Sequence, residues 1–423
     1  MSKNLTRIMA VAALIIMMIS AVKAQDEPVT LTIWYNSASP DAFVNVFERW
    51  AEETGNAVEL VAIPADGFEN AVLTRWAAGE RPDIMEYHAT PAAVLQLNTE
   101  NLQDLSDEAF IELAPALYPA LGTVDGHTYA AITSFPQVFG LYYNKQVLAD
   151  AGIEPPQNFT ELAAACETLK EVAPDVIPIW ESGGSLWPTQ LLPVMYLADM
   201  DTDYLQSLLD KETTADAPDS PLVAALTAYS DLLNNGCFPE DITTTTFENG
   251  ISVVAEGGAA MVALPPVTAL WNEQFDGDTE LADSTIGETF PASNGPAAWW
   301  GASPTGSYYA PLTGDSAREA AALDFIRYAT GDGYQETIDE SQTFPVMEGF
   351  ENPADAQGLT LLLKEIYDFN SGPSWDANRP PGIQFDVIMG TLVSGQATPE
   401  QAAVTYQLQL EQGAIAAGLP GWE

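Results

Sequence analysis

The tetrapeptide Ser134-Phe135-Pro136-Gln137 constrains this chain more than any other stretch, because it splits a β-rich run in two. Pro136 cannot donate to a sheet ladder and confines Phe135 to extended geometry, so the strand-forming residues Thr128 to Thr133 do not simply continue into Val138 to Tyr143. Upstream, Asp125-Gly126 supplies the residues that a tight reversal needs, and a hairpin arm is expected around it. The tetrapeptide therefore reads as a joint, where the chain leaves one lobe and starts another.

The segments on either side support two lobes of mixed type. Val29 to Asn36 alternates as a strand, and Ser39-Pro40 opens a helix in which Phe43, Val46, Phe47, Trp50 and Ala51 share one face until Gly55. A strand over Ala57 to Ile63, a helix ending at Gly79 and a strand over Arg81 to His88 complete an α/β rhythm. Beyond the joint, Asn144-Lys145 opens a helix that stops near Gly152. After Pro155-Pro156 another helix is expected, with Thr160 as its N-cap and Leu162, Ala165, Cys166 and Leu169 inside.

Open α/β sheets bind ligands outside the carboxyl ends of their strands, which nominates Asn36, Ser37, Tyr87 and His88, with Glu86 beside them. Tyr87 is expected to stack on a ligand, the alternative being an ordinary core ring; His88 is equally a solvated loop histidine. Past the joint, Trp180-Glu181-Ser182-Gly183-Gly184-Ser185-Leu186-Trp187 sets two tryptophans around a glycine-rich loop. Flat indole faces suit the C–H faces of pyranose rings and carboxylates accept from hydroxyls, so Glu181 and Trp187 are the second-lobe candidates. A buried tryptophan anchoring the loop is the plainer alternative.

A chain of 423 residues is long enough for two cores. Its first 24 residues carry Lys3 and Arg7 ahead of the apolar run Ile8 to Ile19, then small residues before Gln25, the pattern of a secretory signal cleaved near Ala24. Removing them takes the formal charge from −47 to −50, a field that repels nucleic acid and anionic membranes. A solvating acidic coat explains it, and so does a cationic ligand. No cysteine lies near the cleavage point, so no lipid anchor is expected. Asp199, Asp201 and Asp203 imitate a calcium loop, but Tyr204 and Asp210 stand where glycine and glutamate are required. With two histidines and two cysteines in the chain, neither a metal site nor a cofactor is expected. In an oxidising compartment Cys166 and Cys237 are either a disulfide or two buried thiols.

The run Tyr142-Tyr143-Asn144-Lys145, then Ala151-Gly152-Ile153, then Phe159-Thr160-Glu161-Leu162, resembles the sugar-type extracellular solute-binding proteins of ABC transporters, the family that includes maltose-binding protein. Further matches are Phe247 with Gly250, Gly258-Ala259-Ala260-Met261, Phe344-Pro345-Val346, and Gly395 to Ala402. In the last of these Thr398 and Gln401 make a capping box, with Pro399 at the first helical position. The resemblance implies a two-lobed periplasmic-binding-protein fold of type II, with a hinge of several crossing segments. Residues 25–133 and 265–303 would form the first lobe, and 134–264 and 304–423 the second.

The same resemblance favours a Cys166–Cys237 bond and places sugar contacts directly after the first and third strands. Gln137, in the first joint, is a further candidate, and the resemblance places Trp271 behind a second joint at Pro265-Pro266. Trp300 and Gly301 fall at a third crossing, where close approach needs a small residue and adjacent tryptophans face opposite ways. Trp375 and Arg379 fall in a loop that departs from the family pattern at Pro380-Pro381. The implied function is a monomeric periplasmic component of an importer, binding a small oligosaccharide or glycoside and delivering it to a permease. Two other classes remain open at this point. One is a secreted glycoside hydrolase using Glu86 and Glu181; the other is a binder of a polyamine or oligopeptide, drawn by the acidity.

Overall fold

In a computed structural model of the chain, residues 28–423 are described apart from 66, 116, 119–120, 201–203, 292–296, 303–304, 355, 374–378 and 420. The first lobe is built on strands β1 (Thr30–Asn36), β2 (Ala57–Ile63) and β3 (Ile84–Glu86), parallel and ordered β2-β1-β3. The alternation along β1 buries Leu31 and Ile33 against Val46, Phe47 and Trp50 of the helix Asp41–Thr54. The hairpin β4 (Thr123–Val124) and β5 (His127–Thr128) turns on Asp125-Gly126 as expected, and β6 (Ala130–Ile132) closes the near edge of the same lobe.

Strand β7 (Pro136–Val138) belongs to neither main sheet. After it, β8 (Gly140–Asn144), β9 (Ile177–Trp180), β10 (Ala259–Leu264) and β11 (Ile286–Thr289) form the second lobe's sheet in the order β11-β8-β10-β9. Both faces of that sheet are covered, which is why β10 at its centre and β9 at its far edge are apolar runs. Leu141, Ile179 and Met261 face one core, and Tyr142, Val262 and Leu264 face another. Asn144 caps the helix Lys145–Asp150. The next helix, Phe159–Val172, starts earlier than expected because Asn158, not Thr160, accepts the Glu161 amide. Cys166 of that helix is bonded to Cys237.

The expected lobe boundaries need correction in their second half. Pro265-Pro266 is not a crossing: the chain turns from β10 straight into the helix Thr268–Gln274, where Trp271 packs on Tyr142, and β11 then pairs with β8. Residues 268–289 thus stay with the second lobe. The return to the first lobe comes through β12 (Ala297–Ala302), after which β13 (Ser307–Tyr309) inserts between β3 and β6. The helices Ser316–Ala329 and Tyr334–Ser341 then complete the first core, with Phe325 stacked on Phe47 at 4.9 Å and Arg318 paired with buried Asp83. Asp315 caps the first of these helices. A third passage, by the helix Gly358–Asn370 and β14 (Ser371–Pro373), leads back to the second lobe, where Phe385–Val393 and Pro399–Ala416 pack. The capping box on the last helix is formed.

The three passages lie side by side, as β14-β12-β7, in a small sheet of their own. Such pairing holds the crossing strands as one unit while each end joins a different core. Phe135 stacks on Phe344 at 4.2 Å and Phe344 meets Tyr367 at 5.6 Å, so aromatic rings tie the first passage to the third.

Candidate ligand-binding site

The direction of the strands shows where a ligand can sit. In the first lobe β13 enters from the second crossing and runs antiparallel to β3, so the carboxyl ends of β1, β2 and β3 lie on the edge where the crossings leave. In the second lobe Leu264, the last residue of β10, pairs with Gly140, the first of β8 after the hinge. The carboxyl ends of β10 and its parallel neighbour β9 therefore also lie on the hinge side. The two sets of strand ends flank the crossings from opposite sides, which makes the intervening cleft the place where both lobes can touch one molecule.

On the first edge, the Asn36 amide donates to Glu86 Oε2 at 3.1 Å and its side-chain oxygen accepts the Ala38 amide. Exposed Ser37 accepts the Ala65 amide at 3.1 Å, tying the end of β1 to the loop after β2. His88, only 8% exposed, has its Nε2 2.8 Å from Oε1 of Glu69, whose side chain is half-exposed. Glu69 carries no local motif and was missing from the sequence candidates; only the return of its helix past the end of β3 brings it there.

Two candidates on this edge are not ligand contacts. Tyr87 is 2% exposed and packs on Phe68 at 6.2 Å, so its ring belongs to the core, because the residue directly after a central strand is still flanked by its neighbours. Glu86 is fully buried. Its Oε2 accepts Asn36 N–H and Ser39 Oγ–H (2.8 Å), and its Oε1 accepts the Gly306 amide at 3.2 Å. Burial pushes this carboxyl up to about 7 although the hydrogen bonds pull it down. Glu86 is thus an internal bolt between β1, the helix after it and the second crossing.

On the second edge, the loop after β9 is pulled tight against residues 242–246. Gly184 N–H donates to Thr245 O at 2.8 Å, and a Cβ on Gly183 or Gly184 would come within 2.5 and 2.6 Å of the Ile242 and Thr245 carbonyl oxygens. Only glycine allows that approach. Ser185 Oγ accepts the Phe247 amide at 3.1 Å, which draws Phe247 to Trp187 with ring centroids 5.1 Å apart. Both rings are half-buried, so the pair offers aromatic surface at the carboxyl end of β9. Phe247 was legible as a motif residue but not as a site residue. Glu181 is 3% exposed and turns inward to the Ser182 amide, with the Tyr229 hydroxyl beside it; burial pushes it up to about 7. It supports the loop from beneath and does not reach the cleft.

The remaining candidates divide. Gln137 is half-buried in β7, between buried Pro136 and Val138, on the hinge sheet itself. Trp271 is fully buried behind Tyr142 and is a core residue, because the proline pair does not carry the chain across the hinge. Trp300 and Gly301 lie in β12, where Trp299 registers with Val138 and Pro373, but their side chains lie outside the described residues. Trp375 is also outside them. Arg379 is half-buried just before Pro380. Among the described residues the one grouping of metal-ligating atoms is Cys166, Glu167 and Cys237, whose two sulfurs are bonded to each other.

Known proteins share the family profile and the fold. Residues 36–336 match the profile of the family described as bacterial extracellular solute-binding protein. Among curated proteins, the melibiose/raffinose/stachyose-binding protein MelE of Bacillus subtilis is 28% identical over 159 residues, which are 36% of this chain and 36% of MelE. The matched stretch covers about half or less of each of the curated relatives, from 36% to 53%. Solved structures align over nearly the whole fold. A chitin oligosaccharide binding protein superposes with a TM-score of 0.76 at 20% identity, over 92% of this chain and 100% of that one. A sugar transporter protein of Bacillus licheniformis in complex with stachyose superposes with a TM-score of 0.68 at 22% identity, over 90% and 98%.

Proposed function

This chain belongs to the bacterial extracellular solute-binding protein family, and from that premise we propose that it is the substrate-binding component of an ABC importer, holding a small oligosaccharide or glycoside between its two lobes. The observation that carries the reading is the half-buried Trp187–Phe247 pair at the carboxyl end of β9, on the hinge side of the second lobe, together with polar Asn36, Ser37 and His88 at the carboxyl ends of β1 and β3, on the hinge side of the first. Indole and phenyl faces take the apolar side of a pyranose ring, and polar groups take its hydroxyls. Closure follows because a ligand that engages both lobes favours the state in which they are near. The closed form then offers a membrane permease a surface made of both lobes. Secretion to the periplasm, with cleavage near Ala24, fits the family's extracellular character; residues 1–27 lie outside the described ones. No helix among the described residues is long and apolar enough to cross a membrane.

Hydrolysis is the less supported reading. A glycosidase needs two carboxyls flanking a scissile bond. Glu86 has both oxygens engaged inside the first lobe, and Glu181 is sealed inside the second.

Titration calorimetry with raffinose, stachyose and a chitin oligosaccharide tests the proposal directly. Saturable heat without sugar release, together with contraction in small-angle scattering, is the expected result; superimposable scattering and no heat for any of them would refute it. Trp187→Ala is expected to weaken the best ligand at least roughly tenfold, or about 1.4 kcal/mol. An unchanged dissociation constant would remove Trp187 from the site.

A further inference from the structure

Resting on the reading that the cleft takes a saccharide, we propose that Glu69 is a ligand-binding carboxylate of the first lobe and that His88 is the positioning residue that fixes it. The class of ligand this implies is a sugar unit presenting two adjacent free hydroxyls to the first lobe.

The two residues reach the same spot from different strands. Glu69 lies in the first turn of the helix Phe68–Ala77, which follows the carboxyl end of β2; His88 follows the carboxyl end of β3. Their contact is His88 Nε2 to Glu69 Oε1 at 2.8 Å. His88 itself is anchored. It is 8% exposed, its ring meets Tyr87 edge-on at 5.7 Å, and its carbonyl oxygen accepts the Tyr309 hydroxyl at 2.7 Å. Tyr87 and Tyr309 are both core residues. The histidine is thus a fixed arm reaching from the core to the edge of the cleft.

Exposed ion pairs ordinarily wander and contribute little, since two long side chains must be held at once. Here one partner is already immobile, so only the glutamate side chain has to be ordered to aim the carboxylate. Desolvation acts to raise the Glu69 carboxyl, but the His88 hydrogen bond and charge outweigh it and hold the group below its ordinary value. Glu69 is therefore ionised at neutral pH and accepts hydrogen bonds only. A carboxylate with one oxygen steadied and half its side chain open to solvent is suited to paired hydroxyl donors, which give charge-assisted bonds. The same carboxylate lies at the helix joined to Ser37 through the Ala65 amide, so it sits on the edge that the two strands already define.

The test is calorimetry on the full mature protein, with raffinose, stachyose and a chitin oligosaccharide as probes, using whichever binds most tightly. Glu69→Gln is expected to weaken it roughly tenfold or more, the loss typical of a hydrogen bond to a charged group. His88→Leu should cost nearly as much. His88→Gln, which retains an N–H donor, should stay within about threefold of the wild type. The Glu69→Gln/His88→Leu double variant should bind no more weakly than Glu69→Gln alone, because one side chain acts through the other. Additive losses, or wild-type affinity in Glu69→Gln while Trp187→Ala remains impaired, would overturn this assignment and leave the saccharide reading standing. If the wild-type protein binds none of the three sugars, the reading itself falls and this assignment falls with it.

Discussion

Stability is expected to fall as the pH is raised from about 5 to about 8, by on the order of 3 kcal/mol for each of three buried carboxyls. Burial pushes Glu86 and Glu181 up to about 7 and Glu288 up to about 8. A carboxyl raised in the folded protein still holds its proton where the unfolded chain has released it, so the folded state binds more protons between the two values. Raising the pH through that window favours unfolding. Below the unfolded value and above the folded one these groups add no slope. Glu69 and Asp104, held below their ordinary values, act the other way and only in acid. Urea titrations at unit steps across the window measure the effect, and a flat or rising profile would contradict it.

The three carboxyls should separate on substitution. Glu288 lies over Gly140, whose missing side chain makes its space; the Tyr142 hydroxyl beside it only partly offsets burial, and among the described residues neither of its oxygens has a hydrogen-bond partner of good geometry. Glu288→Gln should therefore lose its share of the slope and be more stable than wild type at pH 8. Glu86→Gln should also lose its share of the slope but be less stable than wild type near pH 5, because an amide nitrogen cannot accept the hydrogen bonds that both oxygens now receive.

Loss of the Cys166–Cys237 bond is expected to lower the stability of the second lobe by about 4 kcal/mol, from the chain entropy released when so long a loop is opened. The bond spans 71 residues and joins the helix Phe159–Val172 to the turn after Pro221–Asn234, inside one core. Chemical unfolding with and without reductant, and of Cys166→Ala/Cys237→Ala, measures it. The first lobe contains neither cysteine, so its transition should stay in place. A drop below about 1 kcal/mol in the second would mean that packing alone holds that core.

Local chemistry carried much of the fold. Pro136 marks a real break because a missing N–H acts wherever the strand lies, and Thr398 caps its helix with partners three residues away. The cap at Asn158 lies two residues before the expected Thr160, since both residues are capping types and the choice depends on how the helix docks. The candidate site was less legible. Whether Tyr87 or Trp271 is a binding ring or a core ring depends on what covers it, and the covering side chains come from Phe68 and Tyr142, 19 and 129 positions away.

By itself, then, the sequence determined the α/β class, the first passage between lobes, the two-lobed family and the tryptophan-bearing loop, because each rests on backbone chemistry or motif order within a short window. Tertiary structure alone decided which lobe residues 268–350 join, which carboxylates turn inward, and that Glu69 meets His88. Those outcomes depend on strand order and on the burial of one side chain by distant others, and neither is encoded in any window along the chain.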